Sequence, residues 1–478
     1  MTKNVDIREE EDLGVGTVEE KRQQLNVFAD TEGGPDFRGV SCLGAAALIA
    51  KAQFGLGVLG IPATFQVLGF VPGLISLCAL CALVTWMGVV IGRFRLSHPQ
   101  VHSIADAADL LFGPIGKEIM GFAMWLFYTL SYGAAALTLC IAFNSLTDSA
   151  LCATAWLGIW SVISLLLGLV LRTMKLLQWC GYVAVVSIFF GVWVVSIACL
   201  TQSTPAAAPK GQPIDKNVQV AASGPSYAAI AAAVSTQLFS LAGSGAFFTI
   251  HAEMKDQTKY VKSLLMGQGF VVLNYIANSC VVYAKVGDYV ASPALGSAGP
   301  LMMKVAYGIA LPALIFTAIF QAHISAKYAM VRILRRTDHL QRNSLIHWGT
   351  WGGMLALSIV IGFVIAGAVP FFNDLLGLTG AFLGTSFTLI LPGFMMLYEM
   401  ANGDYPEGGS HNPLHWIKIS KKTWTTSKRN MTLATVAWLG IVIGLYITVS
   451  GVYGSIAQIA DKYASGQIGS AFSCQTPE

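Results

Sequence analysis

Eleven stretches of the chain stay apolar over about the twenty residues that a helix needs to cross a bilayer core. They run roughly over 41–66, 69–92, 118–145, 153–172, 178–200, 228–252, 262–285, 299–331, 347–369, 374–399 and 432–455. Very short links join 41–66 to 69–92 and 347–369 to 374–399, so each of those pairs must be antiparallel neighbours. Nothing between the runs is long and polar enough for a separate soluble domain. The pattern predicts an all-α membrane protein.

Composition agrees with that pattern. The 478 residues are 55% hydrophobic and 11% charged, where a soluble protein carries roughly 25% charged residues. A chain so poor in charge cannot cover itself against water, and lipid is its expected solvent. The formal charge of +4 is too small and too dispersed for a nucleic-acid partner. The first forty residues differ from the rest, with ten acids against five bases. They lack the basic start and short apolar core of a secretory signal. The first membrane helix is therefore expected to act as the insertion signal, behind a disordered acidic cytosolic tail.

Lysine and arginine favour the cytosolic face of a membrane. With the N-terminus inside, 23 of the 29 basic residues fall on the inner loops, and only Lys210, Lys216, Lys285 and Lys462 fall outside. Lys51 and Lys304 lie in or at the start of helices. This places the N-terminus in the cytosol and the C-terminus outside. Seven of the nine cysteines sit in or beside apolar runs, where cysteine behaves as a small hydrophobe. Cys78 and Cys81 have the spacing of a redox motif but lie within a helix. Cys152 and Cys474 share the outer, oxidising face, where a bridge between them would tie the C-terminal tail to a helix hairpin; two free thiols are the alternative.

Two runs are interrupted near mid-membrane. The first holds three glycines and a proline within Phe54–Pro62, and the sixth holds Gly243-Ser244-Gly245. Such paired interruptions point to a binding site at the interface of inverted repeats. Close helix packing through small residues is the alternative. At a broken helix the exposed N–H groups attract an anion and the exposed carbonyls attract a cation. A molecule carrying both a carboxylate and an ammonium, such as an α-amino acid, suits both ends. Residues 41–200 would form the first five-helix repeat and 228–399 the second. An extracellular loop (201–227), a cytosolic loop (400–431), a peripheral eleventh helix (432–455) and an extracellular tail (456–478) complete the division, after the tail over 1–40.

The stretch Lys51-Ala-Gln-Phe-Gly-Leu-Gly-Val-Leu-Gly-Ile-Pro62 resembles the first-helix signature of the amino acid/auxin permease family. Phe239 to Lys255, which includes Glu253-Met254, is similar to that family's sixth-helix motif. Ser103–Gly113 resembles the cytosolic segment before its third helix. The similarity covers residues 38 to about 455 and leans toward fungal permeases for neutral aliphatic and aromatic amino acids. It implies a five-plus-five inverted-repeat fold with discontinuous helices 1 and 6 among about eleven transmembrane helices, and commonly proton coupling.

By that resemblance, backbone N–H groups of Gly55, Leu56 and Gly57 would hold a substrate carboxylate. Carbonyls around Phe239, Ser240 and Leu241, with Gly243 at the same break, would take the ammonium. Tyr128, Ser131, Tyr132 and Phe239 would receive the side chain. Tyr128 and Tyr132 are one turn apart, and an ordinary aromatic packing face is the alternative for them. Lys51 is a lysine one turn before a break, deep in an apolar run, where charge is costly and usually functional. The resemblance sets it where sodium-coupled relatives carry an asparagine, so it would replace that cation and take part in proton coupling. Snorkelling to the inner surface is the alternative. His323 is a further coupling candidate, with a structural hydrogen bond as the alternative, and Gln321 and His251 accompany it. Glu253 is a third coupling candidate, expected to pair with Lys255 or Lys259 at the inner mouth, and Asp374 is expected to cap a helix.

The expected partners are neutral L-amino acids, protons and membrane lipids. No cofactor is expected, the proton gradient serving as energy source, and the oligomeric state is left open. Enzyme signatures such as G-x-S-x-G, H-E-x-x-H and a Walker loop are missing, and a channel would want a charged or carbonyl ring. The remaining rivals are a sodium-coupled or differently specific permease, for example for polyamines, and a receptor-like amino acid sensor.

Overall fold

The computed structural model describes residues 40–478 apart from 172–173, 209–213, 335–336, 338, 340–343, 402–411, 467–470, 473 and 475–478, with backbone alone for 174–179. The acidic tail therefore lies outside the described residues except for Val40. Ten described helices are long and apolar enough to cross a membrane, and a bent pair makes an eleventh span. The bent pair is α1 (Cys42–Gln53) with α2 (Leu56–Leu68), whose axes differ by 53°. Then follow α3 (Phe70–Ser97), α4 (Ile104–Leu146), α5 (Ala153–Val170) and α6 (Met174–Thr201). The sixth span is again two pieces, α7 (Tyr227–Ser240) and α8 (Ser244–Ala252). The remaining spans are α9 (Tyr260–Val286), α10 (Pro300–Leu334), α11 (Leu345–Ala368) and α12 (Phe372–Ala401). A short helix α13 (Pro413–Trp424) precedes the last span, α14 (Lys428–Ala464). The chain is an all-α membrane protein with a five-plus-five repeat, discontinuous first and sixth spans, and a peripheral eleventh.

Local chemistry sets many of these ends. Ser41, Ser103, Ser226 and Ser344 each cap a helix by accepting a backbone N–H. Where spans cross closely, glycine is required: a Cβ on Gly133 of α4 would stand 3.0 Å from the Gly362 carbonyl oxygen of α11. The central span, α10, packs against both α4 and α6.

Several boundaries differ from the sequence reading. The third span begins at Ile104 rather than 118, because the amphipathic stretch before it is helical and joins the span through a turn at Gly113 (φ 75°) and Pro114. The last helix runs to Ala464, nine residues into the expected tail. There Lys462 pairs with Asp374, which sits in the first turn of α12 but does not cap it; the N-cap is Phe371. The loop before that span contains α13, anchored by a fully buried Trp416 whose Nε1 donates to the Leu111 carbonyl at 3.1 Å. Cys152 and Cys474 are joined by a disulfide across 322 residues of sequence.

Candidate functional site

The two breaks meet at the centre of the bundle. Gly57 lies so close to the end of α7 that a Cβ there would stand 2.6 Å from Ser240 Cα. Gly243 is pressed in the same way against Gln53 Cγ, and Gly60 against Asn373 and Leu376. These three glycines therefore serve close packing. Gly55 is different: its nearest neighbour to a built Cβ is Thr317 Oγ1 at 3.9 Å, and it faces an open space. Pro62, expected to mark the interruption, lies inside α2.

That space is a cavity of about 550 Å³. Its floor is the first break, where Gly55, the N-cap of α2, receives no side-chain cap. The N–H groups at the start of this helix have no carbonyls a turn earlier to bond to, and the first two helical residues, Leu56 and Gly57, line the cavity with Gly55. Its walls are aromatic and apolar, among them Phe54, Met124, Phe127, Tyr128 and Phe239, with Ser131 as a polar member. A polar knot lies on α7, one turn before its end, and does not line the cavity. Fully buried Gln237 donates to Thr64 Oγ1 (3.0 Å) and the Gly73 carbonyl (3.2 Å), and accepts from Ser76 (2.8 Å). The cavity widens past Glu253 and Lys327 to Asp106, Lys117 and Arg332, where the basic loops gather.

The structure sorts the candidates from the sequence. Tyr128 and Ser131 line the cavity; Tyr132 does not, and its ring instead packs over Gly362 of α11. The cavity face of α4 runs through Met124, Phe127, Tyr128 and Ser131, so a residue four positions after Tyr128 has rotated off its edge. Ser240 and Leu241 are buried behind the wall, while Phe239 and Gly243 reach it. The break's carbonyls are largely engaged: Phe239 O accepts from Ala242 N–H, Leu241 O from Gly243 N–H, and Ser240 O from the hydroxyl of Tyr275.

Lys51 is turned into the cavity, not out to the surface. Its Nζ lies 4.7 Å from the centre of the Phe316 ring and 5.1 Å from that of Phe320. Its stem crosses Gly181 so closely that any Cβ there would collide with it. Among the described residues, no carboxylate lies within 4.0 Å of this ammonium. Two aromatic faces are its electrostatic partners, each worth about 0.5–2 kcal/mol. His323 is fully buried but outside the cavity, edge-on to Trp351 with ring centres 5.0 Å apart. His251 is also behind the wall, 3.1 Å from the Gln257 carbonyl and tilted against the Tyr260 ring with centres 4.5 Å apart. Glu253 does not pair with Lys255 or Lys259: Lys259 is bound to Asp256 at 2.9 Å, and Glu253 faces Lys327 of α10. Burial pushes the Glu253 carboxyl above its ordinary range, and the Lys327 ammonium draws it part of the way back.

Residues 38–406 match the family model described as transmembrane amino acid transporter protein. The chain belongs to that family. Among relatives of this amino acid transporter, a protein of Fusarium pseudograminearum named transmembrane transporter is 31% identical, over 97% of this chain and 91% of its own length. The N amino acid transport system protein of Neurospora crassa is 30% identical, over 89% of this chain and 86% of its own. The fold is that of the transporter MhsT, solved in complex with L-phenylalanine, with a TM-score of 0.51 at 13% identity over 85% of this chain and 98% of that one.

Parts of the transporter's centre escaped the sequence reading. Gln53 donates to Gln268 Oε1 at 2.7 Å, and Tyr275, two turns along α9 from Gln268, reaches both breaks. The column Gln268, Asn274, Tyr275 and Asn278 within one apolar span was the available signal, since polar groups at membrane depth mark function or tight packing. Phe316 and Phe320 one turn apart on α10 carried none beyond helical spacing.

Proposed function

We propose that this transporter carries neutral amino acids, aliphatic and aromatic, across the plasma membrane by alternating access, with protons as the coupling ion. One observation carries the reading: an uncapped helix start at Gly55–Gly57 opens into a cavity whose other walls are aromatic and which also holds the Lys51 ammonium. The start of α2 offers N–H donors and the positive end of a helix dipole to a carboxylate. Phe239, which lines the cavity at the sixth break, supplies the carbonyl that would take the ammonium in exchange for one of its turn bonds. Phe127, Tyr128, Met124 and Ser131 then receive the side chain. A cationic side chain would meet Lys51 with no carboxylate beside it, which disfavours arginine and polyamines. An acidic side chain would be drawn to the Lys51 ammonium but would have to leave water for aromatic walls, so the glutamate arm of the test below checks the neutral preference directly.

Lys51 also gives the coupling argument its physical form. A tethered ammonium beside the first break supplies the positive charge that a bound sodium ion would otherwise supply, so sodium is not required. Lying over Phe316 and Phe320 in the cavity, this amine is the group proposed to release and regain a proton as the cavity alternates, since an ionisable side chain at membrane depth is costly to keep without a function. We read the end lined by Lys117, Lys327 and Arg332 as cytosolic, with the N-terminus inside and the C-terminus outside, because lysine and arginine favour that face. The cavity is then open inward.

The test is uptake of labelled phenylalanine, leucine, arginine and glutamate into proteoliposomes at two external pH values, with and without sodium. Phenylalanine and leucine should enter, faster at the more acidic pH and independently of sodium. Sodium-dependent uptake, or preferred arginine, would overturn the coupling or the specificity respectively. Binding without counterflow would identify an amino acid sensor instead.

A further inference from the structure

The side chain of Tyr275 is fully buried on α9, and its hydroxyl touches both broken helices at once. It lies 2.8 Å from the Gln53 carbonyl oxygen, which ends α1, and 2.9 Å from the Ser240 carbonyl oxygen, which ends α7. The ring is held in place by Phe54, stacked with centres 6.1 Å apart. Below it on the same helix, Gln268 grips the Gln53 side chain. At the far end of the two inner half-helices there is a second tie. The backbone of Val40, just before α1, donates to Glu253 O (3.1 Å) and accepts from Lys255 N–H (3.0 Å), just after α8. So α1 and α8 are stitched together at one end, and both chain interruptions at the other end converge on one tyrosine.

A hydroxyl has one proton, and here it faces two acceptors. Two buried carbonyls left with no donor would be costly at membrane depth. With a shared donor, either carbonyl can move away while the other keeps a complete hydrogen bond. We infer that Tyr275 is the pivot of the transport cycle: its hydroxyl holds the end of α1 against the end of α7 while the stitched pair α1–α8 swings between the open and closed positions. Tyr275 lines no part of the cavity and is a positioning residue; it acts on the rate of the swing and leaves substrate affinity alone. The inference rests on the alternating-access reading above.

The experiment measures binding and turnover separately on purified carrier, using labelled phenylalanine. Tyr275→Phe should bind phenylalanine within about twofold of wild type while turnover per binding site falls about tenfold or more. Equal losses in both, or turnover per site like wild type, overturn the pivot. Fluorinated tyrosines at 275 keep the ring and the hydroxyl and strengthen its donation in steps, so they remain informative if Tyr275→Phe does not fold. Turnover should change along that series while affinity stays flat; a flat turnover overturns the inference. Wild-type carrier that binds phenylalanine but never moves it would refute the transport reading itself, independently of Tyr275.

Discussion

The two breaks look alike in the sequence and differ in the structure. The sixth-span break is three residues, Leu241 to Gly243; Leu241 and Gly243 keep near-helical angles, and all three N–H groups bond back within the turn: Leu241 to Leu238 O, Ala242 to Phe239 O and Gly243 to Leu241 O. The first-span break is abrupt. Phe54 still bonds back to Ala50, then Gly55 turns the axis and α2 starts uncapped. Each break is followed by a helix start with no side-chain cap, Gly55 before α2 and Gly243 before α8. They differ in the room beside that start: Gly243 is pressed against Gln53, whereas a Cβ on Gly55 would have nothing nearer than 3.9 Å. A break is therefore not by itself a binding feature; what counts is whether space is left in front of its free donors.

The contrast can be broken most severely at Gly57. Gly57→Val would drive side-chain atoms into the Ser240 backbone; uptake should fall to background and the thermal midpoint should drop by several degrees, each kcal/mol costing about 2–4 °C or less in a chain of this size. Gly55→Ala tests the other half of the contrast, since its Cβ has room. The carrier should stay as heat-stable as wild type while KM for phenylalanine rises about tenfold, which corresponds to about 1.4 kcal/mol of lost anion binding. A destabilised carrier with unchanged KM would mean that Gly55, like Gly57, is a packing glycine.

Lys51→Met asks whether the charge ahead of the first break powers transport. Uptake driven by a pH gradient should be lost while counterflow between equal amino acid concentrations persists. Full pH-driven uptake without sodium would end the coupling role of Lys51. Gly181→Ala should have the same character and a weaker effect, because its methyl meets the flexible end of the lysine rather than backbone. The smallest effect is expected beside the sixth span. The Glu253 carboxyl is raised above its ordinary 4.5 by burial, so the folded carrier binds its proton more tightly than the unfolded chain does. That contribution is fully present below the ordinary value and is lost as pH rises through the raised one. Glu253→Gln should flatten this part of the melting-temperature profile against pH, by about a degree or two.

Much of the fold was legible because lipid imposes one rule everywhere: apolar helices of a fixed length, with any interruption needing a reason. Eleven spans and both breaks follow from that rule. Position along a helix was legible only coarsely. Tyr132 seemed to share the face of Tyr128, yet forty degrees of drift per four residues carries it away. His323 is a titratable residue at membrane depth, and the sequence holds nothing to say that it faces Trp351 instead of the cavity. Contacts between distant segments, such as Lys51 with Phe316 and Phe320 or Tyr275 with both breaks, arise from packing that no local pattern encodes.

The backbone tie at Val40 has one more consequence. Whatever grips or modifies the residues before Val40 takes hold of a lever. The chain enters the membrane through the short end of α1, and that end is fastened to the exit of α8 by two peptide hydrogen bonds. Force or charge applied there reaches two gate pieces through backbone alone, with no side chain as relay. In the proposed transport cycle, residue 40 and the exit of α8 therefore move as one piece, and displacing either displaces the other.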